Sequence, residues 1–317
     1  MATGNEKSVI VSSPATVSNV VCGFDCIGFA LEEPADIIKL QLAEKPGITI
    51  THKDQYNLPL DPGKNTAGIA LKEFIRASGL AIGFNVEIKK GIRPGSGIGS
   101  SAASSCGTLV AANFLTGNLF NENQLIKMAA KAESVVSGAE HFDNAAPCIL
   151  GGMVLVRDPD SADFVKLRFP ELSVSVVRPS IEILTSQARA VLPESIPLKK
   201  AVRYWSNLAG FIAAISFNDI ELLSRAMIDN LIEPERAKMI PAFKNVKSAA
   251  ISAGAVGAGI SGSGPAIFAF STDAMTAKKV AAAMSSVFNS VGLACEEYIS
   301  RISTVGARVL TEISETE

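Results

Sequence analysis

The sequence predicts an α+β protein with two domains. The chain has 317 residues, and because one domain ordinarily holds roughly 100–200 residues, this length predicts two units, each with its own core. Runs of alternating apolar and polar residues, typical of half-buried strands, are interspersed with runs of helical spacing. The sequence contains neither internal repeats nor low-complexity tracts, so a solenoid is excluded and a mixed α+β architecture is favoured.

The first half of the chain is predicted to begin with two strands separated by a helix. Alternation over residues 38–42 and 84–88 predicts the strands. The apolar positions within residues 67–75 follow helical spacing, and Gly79 can end this helix because glycine readily adopts the left-handed conformation. The further elements predicted in this half are helices over residues 101–115 and 123–136 and a strand over residues 153–156.

The second half is again predicted to mix strands and helices. Its elements are strands over residues 172–178, 265–271, 295–301 and 307–313 and helices over residues 202–215, 222–227 and 280–291. The lone tryptophan, Trp205, lies on the apolar face of the first of these helices, which predicts a core position. A turn at residues 158–160 separates the halves, so the predicted domains are residues 1–160 and 161–317.

Composition and charge argue against several classes of protein. Apolar residues make up 48% of the chain and charged residues 19%, which argues against general disorder. The 29 Lys and Arg residues nearly balance 31 Asp and Glu residues, so the net charge of −2 gives no basis for binding nucleic acid or an anionic membrane. No apolar stretch approaches about 18 residues, and the N-terminus lacks a signal-peptide pattern. We expect a soluble cytoplasmic protein without nucleic-acid or membrane partners.

The cysteines indicate neither a disulfide framework nor a zinc site. Five are scattered along the chain, and no two form a CxxC pair. Cys22 and Cys26 have a spacing that some metal sites use, but no second Cys/His pair follows them, and His52 and His141 are the only histidines. Reduced thiols are therefore expected.

The glycine-rich segment of residues 91–105 follows a predicted strand and opens a predicted helix. Its three alternate glycines permit positive φ angles and close approach of a ligand, while the start of the helix presents free main-chain N–H groups at its positive end. A phosphate group fits such a site, and the hydroxyls of Ser100 and Ser101 can reach Mg²⁺ or a γ-phosphate. The segment lacks the lysine of a Walker A loop and the glycine spacing of the dinucleotide fingerprint. A plain Gly/Ser turn is the alternative interpretation.

Residues 94–103 resemble the central motif of the GHMP kinases, a superfamily that includes galactokinase, homoserine kinase, mevalonate kinase and phosphomevalonate kinase. Residues 14–25 and 252–265 resemble its two outer motifs, in family order and spanning most of the chain. The segments that most resemble the homoserine kinase branch are Asn19 with residues 23–25, and residues 137–148, 185–189 and 233–236.

This resemblance implies a two-domain GHMP kinase fold. The N-terminal domain would resemble domain 2 of ribosomal protein S5, the C-terminal domain would be ferredoxin-like, and the site would lie in the cleft between them. The implied activity is ATP-dependent phosphorylation of the side-chain hydroxyl of L-homoserine, a step toward threonine, by a homodimer. Two alternatives stay open: a GHMP kinase acting on another small alcohol such as mevalonate, and a nonenzymatic nucleotide or metabolite sensor. Intact metal ligands and glycines disfavour the sensor.

The resemblance assigns one side of the site to ATP and Mg²⁺. The residues that it implies for ATP binding are Asn65, Pro94, Gly95, Ser96, Gly97, Ile98, Gly99, Ser100, Ser101 and Ala102. It implies that Ser101 and Glu133 hold Mg²⁺, an ion that prefers oxygen ligands. The competing interpretations are a helix N-cap for Asn65 and an exposed helix carboxylate for Glu133. Lys89 and Lys90, which precede the loop, are interpreted as a solvated strand end.

The acceptor is implied to be a small amino acid, whose carboxylate, ammonium and hydroxyl each need a partner. The residues implied for substrate binding are Asn19, Asp25, Asp143, Arg189, Arg236 and Gly262, and those implied for catalysis are His141, Asp143 and Asn144. The arginines suit a carboxylate, although a surface salt bridge is the alternative for each, and the aspartates suit an ammonium. Asp143 can pair with the ammonium or act as a base near the hydroxyl, and the sequence leaves both roles open.

Overall fold

A computed structural model describes residues 7–310 of the chain. Its strands are β1 (Ser8–Ser18), β2 (Ile27–Ala43), β3 (Gly47–His52), β4 (Gly83–Lys89), β5 (Met153–Asp158), β6 (Asp163–Leu167), β7 (Ser173–Pro179), β8 (Gly257–Ile260), β9 (Ile267–Ser271), β10 (Cys295–Arg301) and β11 (Arg308–Val309). Its α-helices are α1 (Thr66–Ser78), α2 (Ser100–Leu115), α3 (Glu122–Ser137), α4 (Phe142–Leu150), α5 (Thr185–Ala190), α6 (Leu198–Phe217), α7 (Ile220–Ala226), α8 (Glu233–Arg236), α9 (Phe243–Ser252) and α10 (Ala274–Ser290). The predicted α+β class is confirmed.

The first sheet is organised around the long strand β2. Its main path runs β11-β1-β2-β4-β3, and the hairpin β5–β6 joins it beside the start of β2. All pairings are antiparallel except that of β3 with β4. The second half of β2 alternates, with Ile38 and Leu40 fully buried, because helices cover only one face of the sheet there. Helices α1 to α4 pack together on that face, so the start of α2 comes close to the end of β1.

The second sheet is a four-stranded antiparallel sheet in the order β10-β7-β9-β8. Helices α9 and α10 pack on it, and their apolar residues share one core with β7, β8 and β9. A separate core joins this sheet to the first, with α6 and α7 contributing to it. In that core the ring of Phe29 on β2 lies 5.8 Å from Phe268 and 5.3 Å from Phe270, measured between ring centroids. The shared core fixes the cleft between the sheets.

The predicted strands and helices are all present, with ends that differ by a few residues, except that the last strand is short. Within the described residues β11 pairs only at Arg308 and Val309, and the predicted positions 311–313 lie outside them. Gly79 ends α1 in the left-handed conformation, as predicted. The core position predicted for Trp205 is wrong: 52% of this side chain is exposed, because α6 turns its other face, with Phe211 and Ile215, toward the core.

The position of the boundary between the two domains, predicted at residue 160, remains a proposal. The hairpin β5–β6 spans residue 160 and belongs to the first sheet, so the sheet pairing supports a division between Leu167 and Ser173. Strand β11 returns from the second half to pair with β1. In residues 7–310 no helix is both long and apolar enough to cross a membrane.

Candidate active site

A polar cavity of about 130 Å³ lies where the glycine-rich loop, the start of α2 and the ends of several other elements meet. The predicted site residues that line it are Asn19, Asp25, Gly95, Ser96, Gly97, Gly99, Ser100, Ser101, Glu133, His141, Asp143, Asn144, Arg189, Arg236 and Gly262. They come from both halves of the chain. The fold therefore brings together residues that are more than 240 positions apart, since Asn19 and Gly262 share a hydrogen bond.

The glycine-rich loop forms one wall of the cavity. Gly95, Gly97 and Gly99 all have positive φ, between 66° and 83°. Gly99 precedes α2, and a Cβ atom there would lie 2.0 Å from Thr16 Oγ1, so a side chain would force the loop away from β1. The first helical hydrogen bond of α2 comes from Ala103 N, which leaves the preceding main-chain N–H groups at the positive end of the helix. This wall is suited to a phosphate.

The turn between β8 and β9 holds the loop from the opposite side. Ser261 Oγ donates to Gly97 O at 2.7 Å, and Gly262 N donates to Ser18 O at 3.2 Å. Gly97 approaches the turn so closely that a Cβ atom there would lie 2.6 Å from Gly264 O. The C-terminal glycine-rich segment therefore lies against the glycine-rich loop of residues 91–105.

Ser101 and Glu133 line the same cavity from α2 and α3. Glu133 is buried, its Oε2 atom has no hydrogen-bond partner, and burial, with the nearby charge of Asp143, raises the pKa of Glu133 to about 8. An unpartnered buried carboxylate oxygen and a serine hydroxyl that line the same cavity suit a hard cation such as Mg²⁺. Among residues 7–310 no group of three or more His, Cys, Asp and Glu side chains could hold a metal. A cation at this pair would thus take most of its ligands from phosphate and water.

The opposite wall carries two arginines that flank one aromatic ring. Arg189 on α5 makes a bidentate ion pair with Asp25, with N–O distances of 2.6 and 3.2 Å. The guanidinium carbons of Arg189 and Arg236 lie 5.2 and 5.0 Å from the centroid of Phe24. Arg236 on α8 is buried and donates to Gly262 O at 2.8 Å. Two cations held against one ring form a site for an anion.

Asn19 and Asp143 lie between the two walls. Asn19 donates from Nδ2 to Gly262 O at 2.9 Å and accepts from Asp25 N at 3.0 Å, so its amide organises the surrounding main chain. Asn19 N donates to Asp143 Oδ2 at 3.2 Å. Burial, together with the charge of Asp25, raises the pKa of Asp143 to about 7. Asp143 can therefore hold a proton near neutral pH in the ligand-free protein.

His141 and Asn144 lie at the start of α4 and differ in how far their side chains are hydrogen-bonded. Asn144 accepts from Thr16 Oγ1 at 2.8 Å and donates to Ser18 Oγ at 3.0 Å, so its amide ties α4 to β1. His141 Nε2 is buried without a partner, and burial lowers the pKa of the imidazole. Its Nδ1 atom lies 3.9 Å from Glu133 Oε2, which is too far for a hydrogen bond.

Four of the residues that line this cavity each have a buried side-chain atom without a hydrogen-bond partner. They are Ser96 Oγ, Glu133 Oε2, His141 Nε2 and Arg189 Nε. Buried polar atoms in native proteins are nearly always hydrogen-bonded, so a cluster of unpartnered ones calls for an explanation. A polar ligand that supplies the missing partners explains the cluster.

Four of the residues predicted for ATP do not line the cavity. Asn65 caps α1: its Oδ1 accepts from Ala67 N at 3.0 Å and its Nδ2 donates to Pro59 O at 2.8 Å, so an adenine contact there remains a proposal. Ile98 and Ala102 are fully buried and can offer a ligand only their main chain. Pro94 lines a second cavity of about 500 Å³, together with Tyr56, Leu58, Arg93 and Arg178.

The sequence interpretation missed several residues of the site. Ser18, Ile183 and Thr185 line the cavity as well. Thr185 belongs to the segment already singled out for Arg189, and Ser18 directly precedes Asn19, so the motifs themselves were the available signal. The solvated position expected of Lys90 is wrong: Lys90 is buried in an ion pair with Asp36, whereas Lys89 is exposed.

Comparisons with known proteins identify the family to which this chain belongs. Residues 65–152 match the family model of the GHMP kinase N-terminal domain, and residues 210–290 match that of the GHMP kinase C-terminal domain. Homoserine kinase of Chlorobaculum tepidum is 41% identical over 97% of this chain and 100% of its own length. The crystal structure of homoserine kinase from Cytophaga hutchinsonii is 40% identical, covers 98% of this chain and 99% of that one, and superposes with a TM-score of 0.93.

A structure of much lower sequence identity has a similar fold. L. major mevalonate kinase, solved in complex with R-mevalonate, covers 95% of this chain and 98% of its own. Its TM-score is 0.74 at 14% sequence identity, which is a likeness of fold alone.

Proposed function

The chain belongs to the GHMP kinase family, and on that premise we propose that it is a homoserine kinase, which transfers the γ-phosphoryl group of ATP to the side-chain hydroxyl of L-homoserine. It is an ATP-dependent kinase with a small-molecule substrate. The single observation that carries the assignment to this cavity is that four of its lining residues, from the glycine-rich loop to the arginine wall, have buried polar atoms without hydrogen-bond partners. These two walls provide one surface for a triphosphate and another for a carboxylate.

On the donor side, we propose that the loop amides and the start of α2 bind the phosphates of ATP. The cavity of about 130 Å³ is too small for a whole nucleotide, and the larger cavity beyond Pro94 supports a site for the nucleoside. Tyr56, half-buried there, offers a ring face for the base. The loop would then lie between the base and the reacting phosphate.

Ser101 and Glu133 would hold Mg²⁺ beside the phosphates, since both are oxygen donors and Glu133 Oε2 has no other partner. When bound, the cation neutralises charge that develops on the transferred phosphoryl group. The alternative interpretation of Glu133, an exposed helix carboxylate, does not fit a residue that is only 6% exposed.

On the acceptor side, we propose that Arg236 and Arg189 bind the substrate carboxylate. The ammonium would pair with Asp25 and Asp143, and this pairing keeps Asp143 from serving as a strong base. His141 Nε2 is left for the acceptor hydroxyl, while Asn144 acts through Thr16 and Ser18 as a positioning residue. Catalysis would rest mainly on alignment and charge stabilisation.

The transfer forms a bond between the homoserine side-chain oxygen and the γ-phosphorus and breaks the bond from that phosphorus to the bridging oxygen of ADP. The hydroxyl proton leaves as the new P–O bond forms, and the proposed acceptor in the cavity is the free nitrogen of His141. The products are ADP and O-phospho-L-homoserine. Because phosphoryl transfer needs little covalent chemistry from the protein, no nucleophilic side chain is required.

A panel of acceptors tests this function against its alternatives. ADP release is measured with homoserine, serine, threonine, mevalonate and galactose at equal concentrations. We expect turnover with homoserine to exceed that with each other acceptor by at least about tenfold, because mevalonate lacks the ammonium that Asp25 and Asp143 would bind. Preference for mevalonate would identify another GHMP activity, and absence of turnover with every acceptor would favour a nonenzymatic sensor.

A homodimer in the cytoplasm, without nucleic-acid or membrane partners, also remains a proposal. Leu198, Val202 and Trp205 are exposed along one face of α6, and an apolar face of this kind supports contact with a second copy of the chain. Sedimentation velocity of the purified protein tests the dimer, and a monomer at micromolar concentration would contradict it.

A further inference from the structure

A buried ion pair lies directly behind the phosphate loop, outside the cavity that the ligands would occupy. It joins Lys90, just after β4, to Asp36 on β2, and the two side chains are 1% and 0% exposed. Neither residue lines the candidate active site. Because the desolvation of two charges offsets most of their attraction, such a pair contributes little net stability, and a purely structural role explains it poorly.

Asp36 holds the segment that enters the loop. Its Oδ1 atom accepts hydrogen bonds from Gly91 N at 3.0 Å and Ile92 N at 3.1 Å. The approach at this point is close, since a Cβ atom on Gly91 would lie 2.0 Å from Ala35 O. The carboxylate thus fixes the main chain just before the first phosphate-loop glycine.

Lys90 holds the segment that leaves the loop. Its Nζ atom donates to Ser100 O at 2.8 Å and to Ser104 Oγ at 2.9 Å, both in the first turns of α2, and its third hydrogen bond goes to Asp36. Ser104 Oγ is also 3.3 Å from Asp36 Oδ2, and Ser100 Oγ donates to Ile92 O at 3.0 Å. Each donor of the ammonium has a partner. Together these bonds hold residues 91–92, before the loop, close to residues 100–104, after it; we call this junction the neck of the loop.

We propose that the Asp36–Lys90 pair, with Ser104, is a positioning device that sets the loop amides for the triphosphate by holding both ends of the loop together. The inference rests on the proposed use of the loop as a phosphate cradle. Asp36 holds the main chain before the loop, and Lys90 holds the start of α2 after it. Loss of the pair therefore lets the neck open, while the nucleoside cavity and the acceptor wall stay in place. The pair acts through the main chain and touches no ligand.

The test compares a triphosphate with a ligand that has no phosphates. Binding of a non-hydrolysable ATP analogue with Mg²⁺, and of adenosine, is measured by calorimetry for the wild type and for the double variant Asp36→Asn/Lys90→Met. This variant leaves no uncompensated buried charge, and Asn can still accept from Gly91 and Ile92. We expect the analogue to bind at least about tenfold more weakly, adenosine to bind unchanged, and the KM for ATP to rise while that for homoserine stays within about twofold.

Two further variants keep the test decisive. Ser104→Ala removes one bridging hydroxyl without removing a charge, so it tests the same idea if the double variant does not fold; the expected loss of analogue affinity is about threefold. Val280→Ala on α10, fully buried in the second sheet's core, is the control that lowers stability without touching the loop. Its affinities for both ligands should be unchanged.

The outcomes separate this inference from the proposed function. Gly97→Val distorts the loop itself, and if it leaves analogue affinity unchanged, the loop is not the phosphate cradle and both proposals fail. If Gly97→Val abolishes analogue binding but the double variant and Ser104→Ala do not weaken it, the cradle stands and the positioning role is wrong. Equal weakening of adenosine and the analogue would indicate general destabilisation and would also overturn the inference.

Discussion

The two walls of the cleft are built on opposite physical principles. The donor wall consists of main-chain amides whose loop is closed by a fully buried ion pair, Asp36 with Lys90. The acceptor wall depends on long side chains, and its ion pair, Asp25 with Arg189, is 44% and 35% exposed. An exposed pair is screened by water and can exchange partners, whereas a buried, fully bonded one cannot without a large penalty. The donor wall is therefore preorganised, and the acceptor wall is free to exchange the Asp25 contact for a substrate carboxylate.

The largest expected effect comes from Glu133, the carboxylate proposed to hold Mg²⁺ on the donor side. Glu133→Gln keeps the shape of the side chain but removes the charge proposed to hold Mg²⁺, so kcat should fall by at least about 100-fold while the protein stays folded. Steady-state kinetics with saturating ATP and homoserine measure this. Glu122→Gln, in the exposed first turn of the same helix, is the matched control and should retain wild-type kcat. A Glu133→Gln enzyme with normal turnover would remove Glu133 from the metal site.

The two arginines of the acceptor wall differ in burial, and we expect their substitutions to differ in effect. Arg236 is buried and bonded to Gly262 O, so Arg236→Ala should raise the KM for homoserine by about 30-fold or more and that for ATP much less. Arg189 is half-buried and already paired with Asp25, so Arg189→Ala should raise the KM for homoserine by only about tenfold. Arg225→Ala, on the exposed surface of α7, is the control. Equal effects of Arg236→Ala on both KM values would contradict the assignment.

The smallest effect concerns stability and pH in the ligand-free protein. The pKa of Glu133 is raised to about 8 and that of Asp143 to about 7, both chiefly by burial. The folded protein therefore retains protons that the unfolded chain has released, so their contribution to stability is complete below about pH 4 and is lost as pH rises through 7 to 8. We expect Tm to fall on the order of 5 °C between pH 6 and pH 9.

The same measurement on Glu133→Gln isolates this contribution. The variant cannot lose a proton at position 133, so its fall in Tm over the same pH range should be smaller than that of the wild type. A wild-type Tm that rises between pH 6 and pH 9 would show that these carboxyl groups are ionised in the ligand-free cleft.

Sequence patterns predicted much of the fold because periodicity reports burial on one face. Alternation located β4 and the second half of β2, and helical spacing located α1, α3 and α10. Strand β1 was missed because its second half is buried on both faces and carries polar residues such as Ser13 and Thr16, which break the alternation. Helix α4 was missed since Pro147 lies inside it. Burial on both faces in β1 and a proline inside α4 both remove the regular apolar spacing by which a strand or helix is predicted.

Site residues that lie within a family motif were predictable from the sequence. Pairs of residues that only the fold brings together were not. The glycine-rich loop and the segments around Asp143, Arg189 and Arg236 were identified by resemblance, and the fold brings them to one cavity. The partnership of Asp36 and Lys90 joins a residue on β2 to one 54 positions later, just after β4, and no spacing rule connects them. The exposed face of α6 was misjudged for the same reason, since an amphipathic pattern shows which side is apolar but not what covers it.

A crystal structure with Mg²⁺, a non-hydrolysable ATP analogue and homoserine would show both walls with their ligands. We expect the triphosphate to lie on the amides of residues 95–101 with the neck of the loop unchanged. We also expect the substrate carboxylate to contact Arg236 and to displace Asp25 from Arg189. A complex in which the triphosphate lies away from the loop, or in which homoserine leaves the Asp25–Arg189 pair intact and binds elsewhere, would contradict these expectations.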